Sequence, residues 1–189
     1  MVGLDLYLFD LINKVWTAPW ADAFFPWITD LHKTIWFPMI FYPMLLVFFV
    51  IKFRTKGIAI FLLCALAVGT TDLVGNYALK KPFKRMRPGD IPAVHAIVRS
   101  PYGGYSFISN HAANMACVAF FVSTLVPGAG GLFWLAALVV AYSRVYVGVH
   151  FPADVCAGIL LGIIIGLIYV RITQRIFPSV DLTRRKSSR

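Results

Sequence analysis

Apolar residues fill five long runs of this chain, and short polar or basic stretches separate them. A membrane-spanning helix needs roughly 20 mainly apolar residues. On that scale the runs at about 34–51, 57–79, 112–126, 132–149 and 152–172 read as spanning helices. Pro38 and Pro43 fall within the first run, and spanning helices tolerate proline where neighbours satisfy the freed carbonyls. The sequence Pro127-Gly128-Ala129-Gly130-Gly131 ends the third run as a turn. Ahead of all five, residues 4–16 place Leu4, Tyr7, Leu8, Leu11, Ile12 and Val15 at helical spacing, with Asp5, Asp10 and Lys14 among them. That stretch is too short and too charged to span, so it predicts an amphipathic helix at the interface. Residues 17–32 add Trp20, Phe24, Phe25 and Trp27 with Pro19 and Pro26, a mixture suited to the headgroup belt. The expectation is an all-α, polytopic membrane helix bundle. It has five spanning helices (34–172), an N-terminal interfacial helical region (1–32), and one domain over 1–189.

Composition agrees and adds an orientation. The 189 residues are 59% hydrophobic, with a formal net charge of +10. A soluble domain is usually about 45–50% apolar. The basic residues punctuate apolar runs, which points to membrane orientation and anionic lipid rather than nucleic acid. Met1–Asp5 has no basic n-region, so no cleavable signal peptide is expected. Cys64, Cys117 and Cys156 lie in apolar runs without CxxC spacing, which argues against a disulfide framework or a zinc cluster. The loop 52–56 carries Lys52, Arg54 and Lys56; the tail carries Arg171, Arg175, Arg184, Arg185, Lys186 and Arg189. Five spans put this loop and the tail 173–189 on one side, which the positive-inside rule makes cytoplasmic. The segment 80–108 and the region of His150 then meet on the outer side. That segment holds Lys80, Lys81, Lys84, Arg85, Arg87 and Arg99, against the rule. Function is the expected reason.

Ionisable residues at the edge of a span need a cause. Three clusters meet on the outer face: Lys80 to Pro88, Ser106 to His111, and Ser143 to Asp154. Lys80, Arg87 and Arg144 suit phosphate oxygens, arginine by its planar fork. Ser109 and the backbone N–H groups around Asn110 precede the third span, and a helix N-terminus is a ready anion site. His111 at that start is placed to protonate a departing oxygen. His150 precedes Pro152, which fits the first turn of a helix. Asp154 lies four residues beyond His150, where a carboxylate holds an imidazole in one tautomer and raises its nucleophilicity. Asp72 shares a helix face with Asn76 and Lys80, about 12 Å from Lys80 along the axis. It is expected to pair with a motif cation or a neighbouring polar group in support of the site.

Blander readings of the same residues are a structural polar contact, a metal bound by His111, His150 and Asp154, or a Ser109-centred triad. The surrounding cations oppose a metal, and no GxSxG elbow accompanies Ser109. Lys81, Lys84 and Arg85 read as headgroup or substrate-steering contacts, and His32 and His95 as interfacial or loop residues. Gly158, Gly162 and Gly166 form a small-residue stripe for close helix packing, within the bundle or in a dimer.

Together the motifs resemble those of the type 2 phosphatidic acid phosphatase superfamily, in its integral-membrane branch. Lys80 through Arg87-Pro88 meets KxxxxxxRP, and Ser143-Arg144, His150, Pro152 and Asp154 meet SRxxxxxHxPxD in full. Ile108-Ser109-Asn110-His111 is a variant of PSGH, with Ile108 for proline and Asn110 for glycine. The resemblance covers about 57–175. It implies a six-helix core, no metal or other cofactor, and a phosphohistidine intermediate on His150 with Asp154 as charge partner. It implies His111 as acid and then base, with Lys80, Arg87, Ser109 and Arg144 as phosphate ligands. At position 110, Asn110 tolerates the left-handed conformations that glycine allows, and its amide is a further possible contact to substrate.

The expected function is therefore hydrolysis of a lipid phosphate or diphosphate at the outer face of a membrane, in a bacterial inner membrane. The short single-domain chain is similar to bacterial undecaprenyl-diphosphate phosphatases. Phosphatidylglycerophosphate, phosphatidic acid and lipid A phosphate are the rival substrates. A non-catalytic lipid-phosphate binder or transporter would need neither His111 nor the His150–Asp154 couple.

Overall fold

The computed structural model describes residues 2–180, and all regular structure among them is helical. The basic residues Arg184, Arg185, Lys186 and Arg189 of the tail lie outside the described residues. Five long helices form the bundle: α3 (Trp36–Phe53), α4 (Gly57–Leu73), α6 (Asn110–Leu125), α7 (Gly130–Tyr146) and α8 (Pro152–Ile176). Ahead of them lie α1 (Val2–Asp10) and α2 (Pro19–Asp30), and the one-turn α5 (Lys81–Phe83) follows α4. Three stretches are long and apolar enough to cross a membrane: Trp36–Asp90, which folds back on itself as α3 and α4, Pro127–Tyr146 and Pro152–Ile176. Their outer faces are what a bilayer requires. Ile40, Met44, Val47 and Ile51 of α3, Leu132, Leu135 and Leu138 of α7, and Leu160 and Ile164 of α8 are all exposed.

With 16 residues, α6 is about 24 Å long, short for a crossing, and it is sheltered. It packs against α4, α7 and α8 and buries Ala112, Ala113, Ala116, Cys117, Ala119 and Phe121. Its closest neighbour is α8, and glycine makes this approach possible. A Cβ on Gly158 would stand 2.5 Å from the Ser109 carbonyl, one on Gly162 would collide with the Ala113 carbonyl, and one on Gly166 would stand 3.2 Å from the Cys117 carbonyl. The small-residue stripe of the sequence therefore faces α6 within the bundle. Away from that contact, Leu45, Phe49, Ile60, Phe121, Val122, Leu125 and Val170 fill the apolar core.

The ends of the bundle differ. At one end Lys56 bonds Ser179 (2.6 Å), which brings the turn after α3 and the segment after α8 together. The chemical residues gather at the other end. There the helix begun by α4 does not stop near residue 79 as its apolar run suggests. It continues through wider turns over Val74–Lys80 into α5, so Lys80 is held on a helix, and the loop proper starts at Lys84 (φ 45°).

The N-terminal region is two helices docked on this same end, not one helix resting beside it. Phe9 is fully buried against Phe151, with ring centroids 5.4 Å apart. Asn13 is fully buried as well; it donates to the carbonyls of Ile97 (2.9 Å) and Tyr146 (2.8 Å) and accepts the Ile97 N–H (2.8 Å). Polar residues of this region are thus paired with groups far away in sequence. The outward face keeps the expected amphipathic character: Leu4, Tyr7, Trp16, Trp20 and Trp27 are exposed.

The helix contact sets a stability test. Gly162→Ala should destabilise the folded protein by roughly 1–3 kcal/mol through overpacking. Gly128→Ala, with nothing within 4 Å of the new methyl, should change nothing measurable. Thermal unfolding in detergent compares the two; equal midpoints would contradict the close α6–α8 approach.

Candidate active site

The first turn of α8 is the fixed point of the site. Pro152 opens the helix without a wasted N–H, and Asp154 folds back to accept the Phe151 N–H (2.9 Å). That same carboxylate oxygen accepts the Ser106 hydroxyl, and the other oxygen accepts Arg85 (2.6 Å). Asp154 is entirely buried. The four-residue spacing brings His150 Nδ1 to 3.8 Å from Asp154 Oδ2, longer than a hydrogen bond. The Ser106 hydroxyl, 3.5 Å from Nδ1, lies alongside both. On the far side of the ring, Nε2 stands 3.2 Å from an Arg87 Nη1 donor. An arginine cannot accept a proton bond, so Nε2 carries the lone pair and Nδ1 the hydrogen. Gly148 (φ +79°) makes the turn after α7 that returns His150 to this place; a Cβ there would stand 2.5 Å from the Ile97 carbonyl. Burial, the largest influence, holds the His150 imidazole down at about 3, with Asp154 opposing and Arg87 and Arg144 assisting.

The contact between α6 and α8 brings in the second motif. The Ser109 N–H donates to the Asp154 carbonyl (3.0 Å), so the start of α6 is tied to the first turn of α8. Ser109 is the N-cap of α6, but its hydroxyl makes no capping bond. That hydroxyl, His111 Nε2 and Arg144 Nε are buried atoms without a partner among the described residues. Arg144, His150 and Lys80 are all within electrostatic range of His111. Arg144 is buried and spends Nη1 on the Thr29 hydroxyl of α2. Lys80 reaches the same region, within range of Arg87, Asp72, Arg144 and Asp154.

Other expected residues sit differently. Arg87, read as a phosphate ligand, gives its fork to carbonyls: Nε to Gly104 (3.0 Å), Nη2 to Gly103 (2.9 Å) and Nη1 to Val149 (2.8 Å). Only the edge of Nη1 faces the site, at His150. The Asn110 amide is turned to α4, where it donates to Asp72 (2.7 Å) beside Gly75. Only the backbone of Asn110 is left for an anion. Asp72 is met by three amides, those of Asn76 (2.9 Å), Asn110 (2.7 Å) and Asn114 (3.4 Å), and among the described residues by no cation within bonding distance. Arg85, read as a headgroup or steering contact, is instead paired with Asp154 and with Asp5 of α1 (2.6 Å each).

Sequence reasoning gave no role in the site to Ser106, Thr29, Asp5 or His32. The His32 ring, on the turn after α2, lies edge-on to His111 at 4.6 Å between centroids. No local pattern marks these four, because each meets the site through folding of distant segments. Among the described residues, no three His, Cys, Asp or Glu side chains are placed to hold a metal ion.

Comparison with known proteins identifies the family. The family model described as the PAP2 superfamily matches residues 57–178. The lipid A 4'-phosphatase of Porphyromonas gingivalis is 33% identical over 167 residues, covering 84% of this chain and 68% of its own. The undecaprenyl-diphosphatase of Sulfolobus acidocaldarius is 30% identical over 176 residues, covering 90% and 79%. Among solved structures, Aquifex aeolicus LpxE superposes with a TM-score of 0.68 at 31% identity, over 89% of this chain and 96% of that one.

The buried neutral His150 has a consequence for stability. Its folded value lies below the roughly 6.5 of an unfolded histidine, so the unfolded chain binds the proton more readily. The contribution is complete above about pH 6.5 and is lost as pH falls towards 3. The drop in unfolding temperature from pH 7.5 to pH 5 (about one and a half units below the value of an unfolded histidine) should be smaller in His150→Asn than in the wild type. An equal drop in both would mean that His150 is not buried neutral.

Proposed function

The chain belongs to the PAP2 superfamily and is a membrane phosphatase of lipid phosphate esters, and we propose that it works through a phosphohistidine on His150. The observation that carries this reading is the trio of partnerless buried atoms, Ser109 Oγ, Arg144 Nε and His111 Nε2, in the neighbourhood of His150. Buried polar groups without partners call for an explanation. A phosphoryl group supplies it: its oxygens accept from the hydroxyl, the guanidinium and a protonated imidazole.

In this reading the Nε2 lone pair of His150 attacks phosphorus in line and the bond to the lipid oxygen breaks. His111, which burial and the cations around it hold neutral in the free site, takes up a proton as the negative phosphate enters and gives it to that oxygen. Lys80, Arg144, Ser109 and the first N–H groups of α6 stabilise the equatorial oxygens, the main source of rate in phosphoryl transfer. Arg87 Nη1, beside Nε2 before attack, shifts to a phosphate oxygen as the lone pair is used. Water then attacks the phosphohistidine, His111 takes its proton, and the P–N bond breaks to release inorganic phosphate. No step calls for a metal.

For the substrate, lipid A phosphate comes first. Its support is the 33% identity to a lipid A 4'-phosphatase and the pairing of Arg85 with two carboxylates, which removes one cation from service to a second phosphate. Undecaprenyl diphosphate is the second reading, supported by a relative named for it and by Lys84, exposed at the start of the loop. The site end is read as facing the outside of a bacterial inner membrane, with the Lys56–Ser179 end cytoplasmic.

Phosphate release by the purified protein should be measured with lipid A, undecaprenyl diphosphate, phosphatidylglycerophosphate and phosphatidic acid. We expect release that survives EDTA, is abolished in His150→Ala, and falls about 10²–10⁴-fold in His111→Ala. Release undiminished in His150→Ala would end the phosphohistidine reading.

A further inference from the structure

Arg85 belongs to no motif position, yet it bonds Asp154 directly. Its guanidinium bridges two carboxylates at 2.6 Å each, Nη1 to Asp154 Oδ1 and Nη2 to Asp5 Oδ2. It also lies over the Phe151 ring, 4.4 Å from the centroid, and Phe151 is backed by Phe9 of α1. The Arg85 carbonyl accepts the Ser106 N–H (2.8 Å), and Ser106 in turn gives its hydroxyl to Asp154. The remaining oxygen of Asp5 accepts the Ala153 N–H (2.8 Å), in the first turn of α8. One side chain of α1 thus holds both Arg85 and the helix end that carries Asp154.

We infer that Arg85 is a positioning residue for the Asp154–His150 pair, and that Asp5 of α1 holds Arg85 in place. The inference rests on the reading of His150 as the nucleophile. Its physical basis is geometry and charge. Asp154 Oδ2 is engaged by Ser106 and the Phe151 N–H and Oδ1 by Arg85, so the carboxylate cannot turn away from the imidazole. A buried carboxylate left unpaired is strongly disfavoured, and arginine remains charged at every relevant pH. The charged groups around Asp154 are His150, Arg85, Arg87 and Lys80, with Asp5 behind Arg85. Among the described residues, only Arg85 bonds the carboxylate as a permanent cation. Asp5 lies on the N-terminal helix, ahead of the family match at 57–178.

The test is steady-state kinetics and pH profiles on the lipid released fastest from the panel of lipid A, undecaprenyl diphosphate, phosphatidylglycerophosphate and phosphatidic acid. Wild type is compared with Asp5→Asn, Arg85→Gln, Arg85→Lys, the Asp5→Asn/Arg85→Gln double variant and His150→Ala. Partners that orient a reactive imidazole are worth about 10–100-fold, so kcat of Arg85→Gln should fall by that factor while KM changes by less than about threefold. Its acid limb should move to higher pH, because the carboxylate has lost the cation that keeps it ionised. Arg85→Lys should recover part of both. Asp5→Asn should fall less than Arg85→Gln and add little to it in the double variant, as expected of two groups acting through one contact. The inference is overturned if folded Arg85→Gln keeps kcat within about twofold of wild type, or loses it equally at every pH with no recovery in Arg85→Lys. Should Arg85→Gln not fold, the pH profile of Asp5→Asn decides: an unmoved acid limb overturns the inference. Activity in His150→Ala would instead count against the phosphohistidine reading itself.

Discussion

Asp154 carries a carboxylate with none of its surface in contact with solvent, in the first turn of a helix whose body is lined by lipid-facing leucine and isoleucine. Such a group persists only where its partners are fixed, since removing one leaves a charge without water or counter-charge. The surrounding structure meets that demand. The Phe151 N–H comes from the same helix turn, Ser106 and Arg85 from the loop before α6, and His150 from the turn after α7. The loop before α6 and the turn between α7 and α8 are both drawn to one carboxylate, and His150 is held beside it by the same arrangement.

The second constraint is steric. Gly158, Gly162 and Gly166 let α6 lie against α8 at a separation that side chains would forbid. That contact fixes where α6 begins, and so where Ser109 and His111 stand relative to His150. The apolar half of the bundle therefore does the aligning, and the polar end holds the candidate catalytic residues. The Ser109 N–H bonded to the Asp154 carbonyl is the joint between them. At the same end α1 and α2 close over the site, through Asp5 on Arg85, Asn13 on the loop, Thr29 on Arg144 and His32 on His111.

Much of this is written locally in the chain. The hydrophobic runs at 57–79, 132–149 and 152–172 anticipate α4, α7 and α8 within a few residues, because lipid imposes a composition that is legible without any knowledge of neighbours. The spacing of His150, Pro152 and Asp154 likewise places all three on one helix start. What sequence could not show is carried by pairs far apart in the chain. Arg85 meets Asp154 across 69 residues and Asp5 across 80, and it reads as one more basic residue in a basic loop. Asn110 illustrates a subtler limit. In place of a glycine it suggested an extra hand on the substrate, but Gly75, in the wider turns after α4, leaves room for its amide to turn towards Asp72. The helical wide turns that carry Lys80 past residue 79 follow from no apolar pattern at all.

The central claim is that His150 becomes covalently phosphorylated while its orienting carboxylate stays ionised. Rapid acid-free quenching of the enzyme mixed with radiolabelled lipid phosphate tests it most directly, followed by proteolysis and mapping of the labelled peptide. The label should be acid-labile and alkali-stable, should reside on the peptide containing His150, and should be absent from His150→Ala. Turnover with no labelled protein at any quench time, or label on a serine such as Ser109, would contradict it.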